Sequence, residues 1–494
     1  MRKLLLASVA VLGAGIGMVE TAQAQDFPNP GQVTVRLNGR FRFYAMVTNQ
    51  SDATNNLQGS PDGLTPQAGY NKLSNYNFTD YARLFPGFDG VAANGLKYGA
   101  SLEIRSNLNS GAGGGIYGGT GQQTAARNPL YYYRQWGYVG TDKLGTLRFG
   151  ETDNVTSLYA TGTFENFNDG GWDGDAPFVL PGNLIPLWPF LDFGPLITTN
   201  KVVYLSPQLF GFDFGVSYAP STANGSDASG CGSGSPLGTN FVTPAGGLTA
   251  SIPGSGSLVG STNGASSATV IGASGANGQG VAGPGCDALS ATPTADNARA
   301  RNIYDVLLRY RGSFGDFGVA ATGGYVGSGV VAGNGLATQT RYQGLSVGDF
   351  GLAVTYGGLS VGGHYTFGKM NGGTEAPLPN GGKQMSAWLV GASYTVGPLI
   401  VGASYFVDDS NGDTLSSQNG SQLHEVGLAV GGTYNISPGL ALFVDYLYGE
   451  RRQHGFNFIS GNNAGVALAG TQADYTLHNK VTSQVIGTGI SFAW

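Results

Sequence analysis

YYYRQWGYVGTDKLGTLRFGE, spanning Tyr131–Glu151, reads as two short alternating segments joined by a turn at Lys143-Leu144-Gly145. The chain then leaves strand pattern and enters TDNVTSLYATGTFENFNDGGWDGD, Thr152–Asp175. Arg134 and Arg148 sit in the strands, while Glu151, Asp153, Glu165, Asp169, Asp173 and Asp175 fill the excursion. A cationic hairpin opening into an acidic, Gly-containing excursion predicts one wall of a transmembrane β-barrel, followed by a long loop folded into its lumen.

Composition supports that reading. Gly contributes 85 of 494 residues and charged residues only 11%, against roughly 7% and about 25% in soluble proteins. No stretch of useful length has helical period. After the first residues there is no apolar run of about 18, so no helix is expected to span a membrane. Many short alternating segments with Gly- and Asn-rich connections remain, and only a closed barrel of such strands satisfies its backbone in lipid. At the start, Arg2 and Lys3 precede an apolar run, Leu4–Val19, and the small-residue site Ala22-Gln23-Ala24. This predicts a secretory signal peptide over 1–24, leaving 25–494 as the barrel. The net charge of −6 gives no reason to expect nucleic acid as a partner.

Between Val33 and Val47 the odd positions are Val33, Val35, Leu37, Gly39, Phe41, Phe43, Ala45 and Val47, and the even ones include Arg36, Arg40, Arg42 and Tyr44. One face suits lipid and the other water, over a run longer than the five or six residues usual in soluble sheets. Three arginines on one strand face call for a wet interior. Fifteen further segments of this kind follow in hairpins, making sixteen antiparallel strands in an all-β fold, with short turns alternating with long loops. The chain ends QVIGTGISFAW, with Ile486, Thr488, Ile490, Phe492 and Trp494 on one face. A chain that ends within a strand is expected to close on the first strand, so that no edge survives.

About 220–297 is Gly, Ser, Ala and Thr with little else, far longer than the usual loop limit of about 15 residues. It is expected to be an extracellular loop. It holds the two cysteines, Cys231 and Cys286, for which a disulfide is the natural pairing in an oxidising compartment. No metal site is expected: the four histidines, His364, His424, His454 and His478, are scattered. Gly113, Gly115 and Gly118 match a dinucleotide-binding spacing, but in a Gly-rich loop with no following helix. There is no nucleophile elbow, and His364 falls on the polar parity of its strand. The sequence therefore predicts neither an enzyme nor a cofactor. The candidate site is instead a basic face of Arg36, Arg40, Arg42, Arg83, Arg105, Arg134 and Arg148. Opposite it lie the loop acids Glu151, Asp153, Glu165, Asp169 and Asp173. At roughly 8 Å and an effective dielectric near 20, such a pair interacts by about 2 kcal/mol, enough to orient or filter solutes but not to hold them.

Three stretches carry a family resemblance. RQWGYVGTDKLGTLRFGETD resembles the strand-turn-strand leading into the constriction loop of the general diffusion porins of Gram-negative outer membranes. FENFNDGG resembles the acidic tip of that loop, and NKVVYLSPQLFGFDFGVSYAP the next hairpin. The resemblance implies a sixteen-stranded barrel, usually a homotrimer in outer-membrane lipid, passing small hydrophilic solutes and ions. In it Arg134 matches a pore-lining arginine, Arg36, Arg40 and Arg42 resemble the basic ladder, and Glu165 and Asp169 stand where constriction acids are expected. Two departures are visible: the apolar, Pro-rich continuation APFVLPGNLIPLWPFLDFGPL and the very long loop after the seventh strand. Two other readings stay open, a solute-specific channel for sugars, organic acids or phosphate, and a barrel that chiefly anchors the long loop for surface interaction.

Overall fold

The computed structural model describes residues 28–51, 54–55, 71–72, 74–106, 130–180, 184–191, 199–221, 299–331, 343–371, 378, 380–412, 422–454, 456–458, 462–463 and 479–494. The leader 1–24, the segment 222–297 and the Cys231–Cys286 pairing lie outside these residues. Sixteen strands form one closed antiparallel barrel. They are β1 (Val33–Gln50), β2 (Tyr76–Val91), β3 (Lys97–Ser106), β4 (Leu130–Thr141), β5 (Gly145–Glu151), β6 (Asn200–Leu205), β7 (Phe212–Ser221) and β8 (Arg299–Phe314). The second half comprises β9 (Phe317–Val331), β10 (Ser346–Tyr356), β11 (Leu359–Lys369), β12 (Met385–Val396), β13 (Leu399–Ser410), β14 (Leu423–Ser437), β15 (Leu440–Arg452) and β16 (Lys480–Ala493). Two ribbons, Thr54–Asn55 with Asn71–Lys72 and Phe456–Asn457 with Asn462–Asn463, stand apart from the barrel; the alternation gave no sign of them. No helix among the described residues is long and apolar enough to cross a membrane.

Alternation decides which side each residue takes. In β1, Val35, Leu37, Phe43 and Val47 are exposed, whereas Arg42, Tyr44 and Met46 are buried inside. Exposed apolar residues recur on the outer parity of the other strands, among them Leu308, Val390, Val444 and Ile486. An outward apolar band with inward polar groups is the arrangement a barrel needs in lipid. At one end the connections are tight, as at Gly357-Gly358 and Gly397-Pro398, where φ of +57° and +54° is cheap for glycine. At the other end they are long.

Closure follows the expected pairing of first and last strands, Arg40 opposite Ala493 through Gln50 opposite Ser483. It continues past β16, because the Trp494 amide donates to the Gly39 carbonyl at 3.0 Å and the Gly39 amide to the Trp494 carbonyl at 3.1 Å. Gly39 also makes room for the terminal indole, since a Cβ there would lie 2.3 Å from its ring.

One irregularity matters for the site. Glu103 pairs with Arg134, but Ile104 pairs with Tyr132, which leaves Tyr133 as an extra residue in β4. A bulge of this kind re-aims side chains. Tyr132 faces outward at 61% exposure, while Tyr133 joins Arg134 inside, with Arg105 and Arg134 stacked on its ring at 3.3 and 4.8 Å.

Candidate functional site

The segment between β5 and β6, described over 152–180 and 184–191, lies against inward-facing wall residues. It opens with a short helix, α1 (Val155–Tyr159), capped by Asn154, whose Oδ1 accepts from the Ser157 amide at 3.0 Å. The Lys201 ammonium donates to the Thr152 carbonyl at 2.5 Å and fixes the entry. Asp305 of β8 accepts from the Thr156 amide and hydroxyl at 2.8 and 3.0 Å. Arg309 lies 3.7 Å over the Tyr159 ring. His364 of β11 stands 2.8 Å from the Thr161 carbonyl through Nδ1 and 2.8 Å from Asp349 through Nε2. The expected inward placement of His364 thus has a structural use, linking loop and wall.

Wall glycines mark the segment's path. An added Cβ would lie 2.5 Å from Val155 at Gly215, 2.1 Å from the Thr161 carbonyl at Gly351 and 2.7 Å from Phe164 at Gly391. It would lie 2.5 Å from Phe167 at Gly402, 3.1 Å from Asn168 at Gly431 and 2.5 Å from Pro186 at Gly449. The loop therefore rests directly on backbone along β7, β10 and β12–β15, which gives part of the high glycine content a physical cause. Trp172 donates from Nε1 to the Leu428 carbonyl of β14 at 3.1 Å.

Three residues later the chain reaches the basic wall. Asp175 takes Arg83 of β2 at 3.2 Å and Arg42 of β1 at 3.9 Å, with the Tyr44 hydroxyl donating at 3.4 Å. Arg40, Arg42 and Arg83 surround the Tyr81 ring at 5.5, 5.9 and 4.8 Å. Further along, Glu103 of β3 is contacted by Arg105 and Arg134, with Arg83 at 3.9 Å. Arg134 Nε also donates to Asp153 at 2.7 Å. Arg36 pairs with Asp89 at 2.5 Å, and the Tyr138 hydroxyl donates to the same carboxylate. Arg148 lies 4.4 Å over Trp136. The arginines picked from the sequence therefore share one wall, β1–β5, as an ordered array held by carboxylates and aromatic faces.

The loop acids divide. Asp153 meets Arg134. Asp169 accepts the Asp175 and Ala176 amides, each at 3.0 Å, and so shapes the tip; the Arg42 guanidinium donates to its carbonyl at 3.1 Å. Glu165 is buried where the loop crosses β12, beside Asn166, whose amide donates to Ser393 at 3.4 Å. Asp173 ends a 3₁₀ turn, Gly171–Asp173, and Glu151 accepts from Gln135 at 3.3 Å. On the β1–β5 wall the carboxylates that meet more than one arginine are Asp175 and Glu103, and on β7 Asp213 likewise takes Arg309 and Arg311 at 2.8 and 2.9 Å. Asp175 closes the acidic run but has no sequence feature setting it apart from Asp173. Glu103 sits on the inward parity of β3, which was a usable signal. Burial would raise the Asp175 carboxyl, yet Arg83, Arg42 and Arg40 hold it below the usual carboxylate range. Burial pushes the Asp169 carboxyl up, with the Asp175 charge adding to it and Arg42 opposing.

The described part of the apolar continuation packs away. Leu184, Trp188, Phe190 and Leu191 are at most 5% exposed. Trp188 meets Phe406 at 5.6 Å, and Phe190 meets His364 at 5.1 Å. Glu425 accepts from the Leu187 amide at 3.2 Å and from Arg451 at 2.5 Å. Among the described residues no group of three or more His, Cys, Asp or Glu could hold a metal ion.

No curated protein sequence matches the chain. Among solved structures it is similar to an anion-selective porin from Comamonas acidovorans, at 15% identity and TM-score 0.49, covering 94% of this chain and 100% of that one. It is also similar to OmpT of Vibrio cholerae, described in its trimer form, at 12% identity and TM-score 0.46, covering 94% and 99%. DcaP, an outer membrane channel of Acinetobacter baumannii, is similar at 11% identity and TM-score 0.47, covering 95% and 99%. The sequence model of the Gram-negative porins matches residues 7–454. With that match over nearly its whole length and a closed barrel of sixteen strands, the chain belongs to the Gram-negative porin family, outer-membrane channels that cross the membrane many times.

Proposed function

We propose that this porin passes small hydrophilic solutes and ions passively along a route bounded by the β1–β5 arginine wall and narrowed by the loop 152–191. One observation carries the reading. Between Thr156 and Asp175 the loop is anchored to opposite sides of the lumen, by Thr156 on Asp305 of β8 and by Asp175 on Arg42 of β1 and Arg83 of β2, strands seven and six places from β8 in the ring. A loop held at both sides obstructs the cross-section, and water and solutes then pass beside its charged edge. Arg36, Arg40, Arg42, Arg105, Arg134 and Arg148 line that passage, with Asp153, Asp169 and Asp175 as the loop's contribution. Guanidinium suits this role because it stays charged and is weakly hydrated, so several can stand close together and still meet a passing anion. Conductance steps of the purified protein in planar bilayers test the proposal; a closed bilayer would sink it.

The family resemblance implies a homotrimer, which cross-linking in the membrane would reveal as a three-chain species. A solute-specific channel would need a binding surface in the passage. The described part of the apolar continuation does not present one, because Trp188, Phe190 and Leu191 are buried in contacts with the wall. Should the barrel mainly anchor 222–297, deleting that segment would remove partner binding; in the diffusion reading conductance persists.

A further inference from the structure

On the inner face of β13 and β14, at the end with the long connections, two carboxylates stand side by side. Asp408 is the register partner of Glu425, and both are 0% exposed. Opposed residues of an antiparallel pair hold their Cβ atoms about 5 Å apart, and like charges placed so destabilise the pair. Glu425 is provided for on one oxygen only: Oε1 accepts from Arg451 at 2.5 Å and from the Leu187 amide at 3.2 Å. Its Oε2 and both oxygens of Asp408 have no hydrogen-bond partner. Neither carboxylate belongs to the passage described above.

Further oxygens gather beside them. Ser410 follows Asp408 by two residues on the same face, fully buried, and its hydroxyl also has no partner. The chain then turns at Gly412, with φ of +65°. Asn371, from the connection after β11, donates from Nδ2 to the Gly412 carbonyl at 2.9 Å, while its Oδ1 is buried without a partner. Other contacts hold this frame in place. The Asn411 side chain accepts from the Lys383 amide at 3.1 Å, and its carbonyl from Gln453 at 3.2 Å. On the barrel side, Phe406 lies two residues before Asp408 on the same face, buried against Trp188.

A carboxylate buried with neither oxygen engaged is costly unless a cation answers it. The donor set says which kind. Every orphaned acceptor is a carboxylate, hydroxyl or amide oxygen, and the neighbouring imidazole, His424, is turned to Asp409 at 2.7 Å on the other face. Oxygen ligands without thiolate or imidazole select a hard cation. Magnesium demands near-octahedral geometry at short distances, whereas calcium accepts six to eight oxygens in irregular arrangements, water among them. Ligands drawn from two strands and a turn suit calcium. With two carboxylates, not three or more, the affinity belongs to the weak class of extracellular modules. The long-connection end of such a barrel faces the exterior, so external calcium reaches the site without passing the constriction.

We infer that Asp408, Glu425 Oε2 and the Ser410 hydroxyl form a calcium site that ties β13 to β14 and, through Glu425, to the loop at Leu187. Isothermal titration calorimetry of the full-length protein tests it, refolded lipid-free in a zwitterionic detergent and stripped of cations by a chelator. Calcium, magnesium and sodium chlorides are the probes. Wild type is expected to bind one calcium ion more than Asp408→Asn, with Kd about 10⁻⁴–10⁻³ M, and to bind magnesium more weakly. Calcium should raise the thermal transition of wild type and leave that of Asp408→Asn in place. In chelator Asp408→Asn should melt no lower than wild type, because it removes an uncompensated buried charge. If Asp408→Asn does not fold, Ser410→Ala keeps both charges and should weaken calcium binding about fivefold, the loss of one ligand. Equal calcium stoichiometry in wild type and folded Asp408→Asn, unchanged affinity in Ser410→Ala, or sodium bound as tightly as calcium would each overturn the assignment.

Discussion

Replacing Asp175 by Asn removes one charge and little volume at the point where the loop meets the basic wall. Asp175 lies 3.2 Å from Arg83 and 3.9 Å from Arg42. Its side chain is 7% exposed, Arg42's 1% and Arg83's 15%. Breaking a buried pair by removing one partner costs about 3–5 kcal/mol. Asn keeps an acceptor for Arg83 and Tyr44, so the loop tip should loosen by less than that, about 2 kcal/mol. The larger effect is on ions. A carboxylate roughly 8 Å from a passing monovalent ion contributes about 2 kcal/mol at an effective dielectric near 20 and about 0.5 kcal/mol in bulk water. Because the carboxylate attracts potassium and repels chloride by the same amount, Asp175→Asn should raise the chloride-to-potassium permeability ratio by at least about sixfold, the value from the bulk-water figure counted once for each ion. Reversal potentials across planar bilayers in a KCl gradient measure this ratio. At about 0.1 M salt the shift should be present, and at about 1 M, where the Debye length is near 3 Å, it should largely vanish. An unchanged ratio, or a shift that survives high salt, would mean that Asp175 does not face the passage.

Other outcomes follow from the same contacts. The Asp169 carboxyl is raised, so its charged form is disfavoured in the folded protein, and its contribution to stability declines as pH climbs from its unfolded value near about 3.9 through the folded value. Asp169→Asn keeps an acceptor for the Asp175 and Ala176 amides. It should melt no lower than wild type at pH 7, and a marked drop in thermal scans would refute this account. The Asp175 carboxyl is lowered, so its stabilisation is complete above about pH 3.9 and is lost only as pH falls through a lower value. Wild type but not Asp175→Asn should therefore show a further conductance transition below about pH 4. Gly402→Val places a side chain where a Cβ already lies 2.5 Å from Phe167. It should push the loop toward the arginine wall and lower single-channel conductance, leaving barrel pairing intact by circular dichroism. Gly39→Val collides with the Trp494 indole and should reduce the fraction that reaches the heat-modifiable folded form; normal assembly would show that the indole has another seat.

The sequence by itself determined the barrel, its strand pairs, its closure and the wall on which the arginines stand. Side-chain parity in a strand is local, with a period of two residues, so Arg36, Arg40 and Arg42 are assigned to one face before any partner strand is known. It also located the excursion after Glu151, because strand pattern stops there. What faces what across the lumen was decided only in three dimensions. Asp175 became the partner of Arg42 and Arg83 because the loop, seated on bare backbone at Gly391, Gly402 and Gly431, arrives there with that residue. Glu165, equally acidic in sequence, is buried where the loop crosses β12. The bulge at Tyr133 turned an outward position inward, and Leu184, Trp188, Phe190 and Leu191 of the apolar continuation are buried, Trp188 and Phe190 against Phe406. Such contacts join residues up to hundreds of positions apart, and their register is set by the whole ring of strands, which no local period encodes.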